Sequence, residues 1–448
     1  MSVFSIHPII ITKGPQPWQV IPCDGDCAEL LVEGKRKLED APGTILYHVV
    51  KEHSGEEVIP WKEAKEKDEF FQIRDQVPCG GPYRLELCSR VLGQELTECI
   101  GGDIARNFYA GDLFLIAGQS NSVGFAHNTA EDTPEPGVSV FRMDGTWDMA
   151  THPIHDGTRT IFKNLDIGIP GHSPWLACAK KIRKITGRPV GLIPAALGGS
   201  ALTYWMPGAF LFENAMEMMN RAGTVRAVLW YQGCADAVPG QTAGYRERFL
   251  HIVQAFRERT GKANLPFFTC QLNGFLGKNH HAFDEAFSQI RYLQEKAAEK
   301  DNVFILPTVG LPLCDQIHND ACANLTIGGQ VAAQILYHVY GIQVRAEPLK
   351  LRKAIKHNGG IMLLVGPLEG DLTVDEGCLQ AFCAEGQGQR IPLTGLRVIQ
   401  NRIYLEGLGL EKTTWLAYGQ GTDVTQARIS DNSGGWILMP FVVCLQEM

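Results

Sequence analysis

Ser120 stands just after a short apolar run that lies between two glycines. Residues 113–117 form this run between Gly111 and Gly118, which predicts a short strand that is buried on both faces. Ligands of open α/β sheets bind outside the carboxyl ends of strands, so a hydroxyl at this point is well placed to react. Gly118 has the backbone freedom to lift the next side chains out of the sheet. A polar turn is the ordinary alternative for a lone serine, and a reactive role requires a base and oxyanion donors elsewhere in the chain.

Asp315 and His318 are the candidates for the orienting carboxylate and the base. A serine hydroxyl is a poor nucleophile near neutral pH, so it needs an adjacent base whose tautomer is held by a carboxylate. The spacing of three residues lets the Asp315 carboxylate reach Nδ1 of His318 within one local turn, which leaves Nε2 to face Ser120. Such a pair alone is often a surface turn. Because this pair lies between the last strand and the last helix predicted for the central region, we expect it at the same sheet edge as Ser120.

Two further strand ends supply candidate oxyanion donors. Gly199 belongs to a glycine pair that follows the strand predicted at 190–194, where a backbone N–H can approach a ligand without a Cβ in the way. A plain glycine turn is the competing interpretation. Gln232 follows the next predicted strand, and a Gln amide can donate to a developing oxyanion. Asp236 follows closely, and a turn cap is equally compatible with its position.

The elements that must position these residues follow from the hydrophobic pattern. From residue 112, apolar strands alternate with amphipathic helices, which predicts a mostly parallel sheet covered on both faces. Strands are predicted at 113–117, 190–194, 226–231, 267–272 and 303–307, and helices at 173–187, 245–260, 283–300 and 327–340.

The flanking regions have a different pattern, with short strands separated by glycine, proline and aspartate turns. We therefore predict an α/β domain at 111–342 between a β-rich N-terminal domain at 1–110 and a β-rich C-terminal domain at 343–448, both β-sandwich-like. Residues 103–111 are predicted to form the hinge between the first two domains.

The bulk composition excludes several function classes. The 448 residues carry a formal net charge of −8 and are 45% hydrophobic, which favours a soluble multidomain protein without a nucleic-acid or anionic-membrane partner. No run approaches the ~18 apolar residues of a membrane span, and no secretory signal is evident, so we expect a cytoplasmic protein. The 13 cysteines include no C-x-x-C pair, which favours small buried hydrophobes in a reducing compartment over a zinc or redox motif.

Four motifs occur in order along the central region: Gly-Gln-Ser-Asn at 118–121, Gly-Gly-Ser at 198–200, Trp-Tyr-Gln-Gly at 230–233 and Asp-x-x-His at 315–318. With these motifs, residues 112–341 resemble the SGNH-type hydrolases, and specifically the sialate O-acetylesterase-like carbohydrate esterases. The resemblance implies a three-layer, flavodoxin-like central domain. It also implies a serine esterase that removes O-acetyl groups from a carbohydrate, either sialic acid or a plant-type acetylated glycan, through an acetyl-enzyme.

The resemblance also implies residue roles. Ser120 would be the nucleophile, His318 the general base and Asp315 its orienting acid. The N–H groups of Ser120 and Gly199 and the side chain of Gln232 would form the oxyanion hole. No metal or organic cofactor is required. An acetylated carbohydrate is the expected partner, and a homo-oligomer is an open alternative to a monomer.

Four side chains are predicted to contact the substrate: Gln119, Asn121, Trp205 and Asp236. Core packing is the alternative for Trp205. Two other functions stay open at this point. A lipase or thioesterase on the same scaffold would have a long apolar groove, and a carbohydrate-binding protein would have an inactive esterase core.

The sequence departs from the family pattern at two positions. Cys234 stands where the family often has Glu, which removes a carboxylate close to Gln232, and Ser122 stands where many members have Met. His152 and His155 have the spacing of a metal pair, but no acidic or thiol third ligand stands nearby in the sequence. We therefore predict that they line the pocket or lie in a solvated loop.

Overall fold

The computed structural model describes residues 8–90, 99–163 and 168–445. Within these ranges the chain is a mixed α/β protein with one large sheet, mainly antiparallel in its N-terminal part, and several smaller sheets. No helix in these ranges has both the length and the apolar composition needed to cross a membrane.

The N-terminal region is built from antiparallel strands. Their bounds are β1 Ile9–Lys13, β2 Val20–Asp24, β3 Cys27–Arg36, β4 Thr44–Lys51, β5 Glu57–Glu63, β6 Lys65–Lys67, β7 Phe70–Pro78 and β8 Gly80–Arg90. Buried and exposed residues alternate along β3, as expected for a sheet with one face on a core and one in water. The β-rich character predicted for this region is confirmed.

Strand β9, Ile100–Gly118, joins this region to the next without a break. Its first half pairs with β8 and β2, and its second half continues into the central sheet. The hinge predicted at 103–111 is therefore wrong, because these residues lie within one continuous strand. These residues pair with the neighbouring strands β8 and β2.

The central region alternates helices and strands as predicted. Its elements are α1 Ser120–Val123, β10 Val138–Phe141, β11 Trp147–Met149, α2 Trp175–Thr186, β12 Val190–Pro194, α3 Phe210–Ala222, β13 Ala227–Tyr231, α4 Tyr245–Thr260, β14 Phe267–Cys270, α5 Asp284–Ala297, β15 Val303–Leu306 and α6 Ala321–His338. The strands lie in the order β11-β10-β12-β9-β13-β14-β15, and all neighbours are parallel except β11.

Every residue of β12, β13 and β14 is buried, as expected for parallel strands that helices cover on both faces. The sequence pattern did not reveal β10, β11 or α3. It also placed the start of α6 at 327, although the helix begins at Ala321 and is capped by the Asp320 side chain, which accepts from the N–H of Ala323 at 2.7 Å. Gly328 lets α6 approach α2, since a Cβ there would overlap the carbonyl oxygen of Pro174.

The C-terminal region consists of short strands. They are β16 Lys350–His357, β17 Gly360–Gly366, β18 Leu372–Val374, β19 Phe382–Gly386, β20 Gln389–Ile391, β21 Gly395–Ile399, β22 Arg402–Glu406, β23 Trp415–Tyr418, β24 Ile429–Asp431 and β25 Phe441–Cys444. They form sheets in the orders β16-β17-β22-β21, β18-β24 and β20-β19-β23-β25. The buried apolar residues of this region form one continuous cluster with those of the central region, whereas the N-terminal region has its own cluster.

Candidate functional site

Strand β9 ends at Gly118, whose φ of +119° is open to glycine and strained for other residues. A Cβ there would overlap the carbonyl oxygen of Tyr231 in β13, so glycine allows the two strand ends to approach. The carbonyl oxygen of Gly118 accepts from the N–H of Leu197 at 3.1 Å and from Oγ of Ser200 at 3.2 Å. The carboxyl ends of β9, β12 and β13 therefore meet beside Ser120, which begins α1 and is partly exposed.

Asp315 binds His318 as the three-residue spacing predicts. Its Oδ2 lies 2.6 Å from Nδ1 of the imidazole, and its Oδ1 accepts from the N–H groups of Ile317 and His318, both at 2.8 Å. Partial burial alone would raise the pKa of the Asp315 carboxyl, but the hydrogen bonds from Ile317 and His318 outweigh it and lower that pKa below its ordinary value. The carboxylate is therefore ionised at neutral pH and fixes the ring through Nδ1.

Asn121, the residue after Ser120, holds the peptide on both sides of His318. Its Nδ2 donates to the carbonyl oxygen of Ile317 at 3.1 Å, and its Oδ1 accepts from the N–H of Asn319 at 3.0 Å. The side chain is buried, so both bonds are shielded from water. The expectation that the two motifs lie at one sheet edge is thereby confirmed, across almost two hundred positions of chain.

Two buried asparagines complete this support, and the motifs did not reveal them. Nδ2 of Asn273 donates to the carbonyl oxygen of Ile317 at 2.7 Å and to Oδ1 of Asn319 at 3.1 Å. Nδ2 of Asn319 in turn donates to the hydroxyl of Tyr231 at 2.9 Å. Asn273 comes just after the carboxyl end of β14, so the same strand-end rule that selected Ser120 and Gln232 points to it as well.

The ring of Phe125 lies against the imidazole and close to the glycine turn. It stacks on His318 with ring centroids 5.1 Å apart and planes inclined by 23°. A Cβ built on Gly198 would lie 3.8 Å from the Phe125 ring and 3.8 Å from Cβ of Ser120. Ser120, His318, Phe125 and Gly198 therefore surround one small space, and Phe125 gives that space an apolar wall.

The predicted contact between nucleophile and base is not formed in this structure. Within the described ranges, neither Oγ of Ser120 nor Nε2 of His318 makes a hydrogen bond. Catalytic hydrogen bonds are often long or poorly aligned before the substrate binds, so this geometry is compatible with the predicted roles. Those roles remain predictions.

Gly199 lies in an exposed turn with φ of +68°, a value that favours glycine. No atom lies within 4 Å of a Cβ built on it, so the turn borders open space. This setting suits a backbone N–H that approaches a ligand, and its oxyanion role also remains a prediction.

The side chain of Gln232 is not free to donate to an oxyanion. It is fully buried, and its Nε2 donates to the carbonyl oxygen of Ser200 at 3.2 Å and to Oδ2 of Asp236 at 2.6 Å. Its Oε1 accepts from the hydroxyl of Tyr245 at 3.1 Å. Both amide hydrogens are engaged, which corrects the predicted oxyanion role. Gln232 instead ties the end of β13 to the Gly-Gly-Ser turn.

The four side chains predicted to contact the substrate are all buried. Gln119 and Asn121 are each 3% exposed, Asp236 is 8% exposed and Trp205 is completely buried. Trp205 packs edge-on against Trp230, with ring centroids 5.2 Å apart. Side chains with so little accessible surface cannot present a face to a sugar, so this prediction is corrected. For Trp205 the core-packing alternative holds.

Two of these side chains organise the loops around Ser120 instead. Oε1 of Gln119 accepts from the N–H groups of Gly233 at 3.0 Å and Ala235 at 3.2 Å. Oδ2 of Asp236 accepts from the N–H of Leu202 at 2.9 Å. They connect the loop after β13 to the loops after β9 and β12. Their polarity, which suggested substrate contact, serves backbone groups that secondary structure leaves unpaired.

Comparison with known proteins identifies the family. The model of the family described as carbohydrate esterase, sialic acid-specific acetylesterase, matches residues 110–337, which is half of the chain. The chain belongs to this family. The resemblance drawn from the four motifs is therefore confirmed, and the chain is a carbohydrate esterase.

Two individual relatives illustrate the extent of the likeness. A probable carbohydrate esterase of Arabidopsis thaliana is 24% identical over 252 residues, which cover 50% of this carbohydrate esterase and 90% of the relative. The crystal structure of a carbohydrate acetylesterase from Xanthomonas citri superposes with a TM-score of 0.66 at 20% identity, over 97% of this chain and 99% of that one. The second likeness concerns the fold, and it extends over all three regions.

The carbohydrate esterase departs from its family pattern at Cys234, and the structure shows what surrounds that thiol. Its Sγ lies 3.9 Å from Oδ1 of Asn273. Burial raises the pKa of the thiol to about 12, so it is neutral at physiological pH. Cys234 thus adds no charge beside the asparagine that supports His318.

His152 of the carbohydrate esterase lies in a cluster that the sequence analysis missed. Its Nε2 lies 2.9 Å from Oδ2 of Asp132, and Nε2 of His172 lies 3.4 Å from the same oxygen. Nζ of Lys180 binds the other carboxylate oxygen at 3.0 Å. The expectation of no nearby acidic group was wrong, because these partners come from separate loops. Since Nδ1 of His152 accepts from the N–H of Ser173 at 3.4 Å, its Nε2 carries the proton, which indicates a hydrogen-bonded cluster rather than a set of metal ligands.

His155 lies apart from this cluster. It is completely buried, and its Nε2 accepts from the N–H of Ala196 at 3.2 Å. Burial lowers the pKa of the imidazole to about 3, so it is neutral. His155 therefore neither lines the pocket nor lies in a solvated loop, which corrects the prediction, and it supports the chain that leads into the Gly-Gly-Ser turn.

Proposed function

We propose that this carbohydrate esterase is a serine hydrolase that removes O-acetyl groups through an acetyl-enzyme. The observation that carries the proposal is the support of His318. An aspartate fixes its Nδ1, and the residue next to a partly exposed serine binds the peptides on both sides of it. This arrangement leaves Nε2 without a partner among the described residues, as a general base requires.

In the proposed reaction, His318 takes the proton of Ser120 through Nε2 while Oγ attacks the ester carbonyl carbon. The N–H groups of Ser120 and Gly199 donate to the oxyanion. The tetrahedral intermediate collapses, and the sugar alkoxide leaves with the proton from His318. Water then attacks the acetyl group on Ser120, with His318 again as base, and acetate is released. Asp315 holds the ring and stabilises the imidazolium throughout.

The strand order supports a flavodoxin-like, SGNH-type central domain at 111–342. With β10, the short strand that pairs parallel with the outer side of β12, left out of the count, the strands β12, β9, β13, β14 and β15 have the order 2-1-3-4-5 along the chain. In such sheets ligands bind where the order reverses, between the first and third strands. Ser120 follows β9, which is the first strand, and Gln232 follows β13, which is the third.

We infer that the acyl group is small. The wall formed by Phe125 closes the space beside Ser120 and His318 on one side, and the backbone of Gly198 borders it on another, where an added Cβ would already contact both Phe125 and Ser120. An acetyl methyl needs little room, whereas a longer chain has to displace the ring. This favours an acetylesterase over the lipase or thioesterase alternative.

The nucleophile is tested with Ser120→Ala. We expect acetate release from p-nitrophenyl acetate to fall by roughly 10⁴-fold or more. Ser122→Ala is the matched control, because the hydroxyl of Ser122 is buried and donates to the carbonyl oxygen of Ala117 at 2.9 Å. Activity that persists in Ser120→Ala, or is lost equally in both variants, contradicts the proposal.

The acyl pocket is tested with Phe125→Ala on p-nitrophenyl acetate, butyrate and hexanoate. Truncation of the wall is expected to raise the butyrate-to-acetate ratio of kcat/KM by roughly 10-fold, since each methylene in a pocket is worth about 1–3 kcal/mol. An unchanged ratio means that Phe125 does not limit the acyl chain. Acetate release from acetylated xylan, mannan, pectin and sialic acids then identifies the glycan.

A further inference from the structure

Helix α5 and the C-terminal region border a pocket of about 290 Å³ that the proposed reaction does not use. Glu285, Gln289 and Tyr292 line it from the helix. Their spacings of four and three residues place them on one helix face. Gln420 and Phe441 line it from the C-terminal region. The pocket thus has a carboxylate, an amide and a phenol on its helix side, and residues of the C-terminal region form its opposite side.

The helix side of this pocket presents groups that are open to a ligand. Tyr292 is 55% exposed, so its ring has accessible surface for stacking, and the ammonium group of Lys296 lies 5.7 Å from the ring centroid. Oε1 of Gln289 accepts from the hydroxyl of Thr242, so its amide nitrogen is the group left to donate.

The charges that line the pocket disfavour an acidic ligand. Glu285 and Glu295 both line it, and burial raises the pKa of Glu295. Arg291 also lines it, but this buried guanidinium donates to the carbonyl oxygens of Leu272 at 2.8 Å and Gly421 at 2.6 Å and to others nearby. It is held as a link between the two regions and is not free to bind an anion.

The pocket lies at the same sheet edge as Ser120. Gln271 lines it directly after the carboxyl end of β14, and helix α5 begins at that edge. Arg291 donates to the carbonyl oxygen of Asn273 at 2.7 Å, the residue whose side chain binds the peptide before His318. One strand separates β9 from β14, which corresponds to about 10 Å across the sheet.

We propose that this pocket binds a neutral sugar unit of the glycan, a few units away from the unit that carries the acetyl group. A pyranose has an apolar face that suits the Tyr292 ring and hydroxyls that suit Glu285 and Gln289. The inference rests on the proposed function, because the same glycan has to extend from this pocket to Ser120. Binding of a sugar in the pocket does not itself require catalysis.

The test uses the full-length protein and three neutral hexasaccharides without acetyl groups: xylohexaose, mannohexaose and cellohexaose. Calorimetry is expected to detect binding of at least one of them. Tyr292→Ala is expected to raise its Kd by roughly 3- to 10-fold, the range typical of one aromatic contact. Tyr337→Ala, a substitution of an exposed tyrosine on α6, is the matched control and is expected to leave Kd unchanged. Sialyllactose is expected to bind more weakly than the neutral sugar.

A kinetic measurement separates this site from the catalytic site. Tyr292→Ala is expected to raise KM for the acetylated form of the bound hexasaccharide by the same factor and to leave p-nitrophenyl acetate hydrolysis unchanged. No binding of any of the three sugars, an unaffected Kd in Tyr292→Ala, or equal affinity for sialyllactose overturns the inference. Loss of activity toward both substrates also overturns it. Persistent activity in Ser120→Ala would overturn the proposed mechanism alone, since binding is measured without turnover.

Discussion

The aspartate–histidine clusters at Asp315–His318 and at Asp132–His152 differ in which ring nitrogen the carboxylate binds. In the first, Asp315 binds Nδ1 of His318 and leaves Nε2 without a partner among the described residues. In the second, Asp132 faces Nε2 of His152, whose Nδ1 accepts a backbone N–H from Ser173. Only the first histidine has a nitrogen that can take a proton from another group.

The two aspartates also differ in how exposed their side chains are. The side chain of Asp315 is 47% exposed, whereas that of Asp132 is 3% exposed. Despite the cost of burial, the pKa of Asp132 is held well below its ordinary value by hydrogen bonds from His152, His172 and Lys180. A buried carboxylate bonded to His152 and Lys180 gives structural support, whereas a partly exposed pair whose histidine has an unpartnered Nε2 can perform chemistry. Residue types alone do not separate the two.

The largest contrast is expected between alanine substitutions of the two histidines. His318→Ala removes the proposed base and is expected to lower kcat on p-nitrophenyl acetate by roughly 10⁴- to 10⁶-fold. His152→Ala leaves the base in place but takes a donor from the buried Asp132, which is expected to cost about 1–3 kcal/mol in the free energy of unfolding. Turnover and denaturant unfolding are measured on both variants. Comparable losses of kcat would remove the distinction between the clusters.

Asparagine substitutions of the two carboxylates sharpen the contrast. Asp315→Asn weakens the hold on the imidazole tautomer and is expected to lower kcat by roughly 10- to 10³-fold, with little change in unfolding. Asp132→Asn leaves Lys180 without its buried counter-ion and is expected to cost about 3 kcal/mol of stability, with kcat of the folded protein nearly unchanged. If Asp132→Asn reduces turnover more than Asp315→Asn, the second cluster has a part in the reaction.

A smaller effect is expected from the support behind His318. Asn273→Ala removes the donor to Ile317, so the imidazole is less well positioned, and kcat is expected to fall by roughly 10- to 10²-fold with KM little changed. Asn214→Ala is the matched control, because this buried amide donates to the carbonyl oxygen of Lys163 on a different side of the fold. A positioning role is refuted if Asn273→Ala alters only the free energy of unfolding.

The smallest expected effect is the dependence of stability on pH. Burial lowers the pKa of both His152 and His155, in the latter to about 3. A neutral histidine stabilises the fold above its unfolded pKa of about 6.5, and that contribution is lost as the pH falls. We expect Tm to be about 2–4 °C lower at pH 5 than at pH 7. His152→Gln is expected to reduce this difference, and a flat Tm over the range would contradict the buried, neutral state.

The sequence was most informative about features that depend on a local spacing or on a periodic hydrophobic pattern. The central strands follow from short apolar runs, and β12 and α4 begin and end at the residues where the pattern places them. The contact of Asp315 with Nδ1 of His318 follows from three-residue spacing alone. The pattern was least informative at 103–111, where a hinge was predicted but the residues belong to β9 and pair with β8 and β2.

The sequence by itself determined the alternation of strands and helices, the four motifs and the sheet edge at which they lie, because these depend on local pattern and on the common direction of parallel strands. Tertiary structure alone decided which polar residues face the open space. Gln119, Gln232 and Asp236 have the residue types of a binding site, yet each is buried and bonded to the backbone of another loop. Phe125 acquired its place against His318 only through packing across distant segments, which no local pattern records. The strand-end position of Asn273 is visible in the sequence, but its contact with the peptide before His318 depends on the tertiary structure.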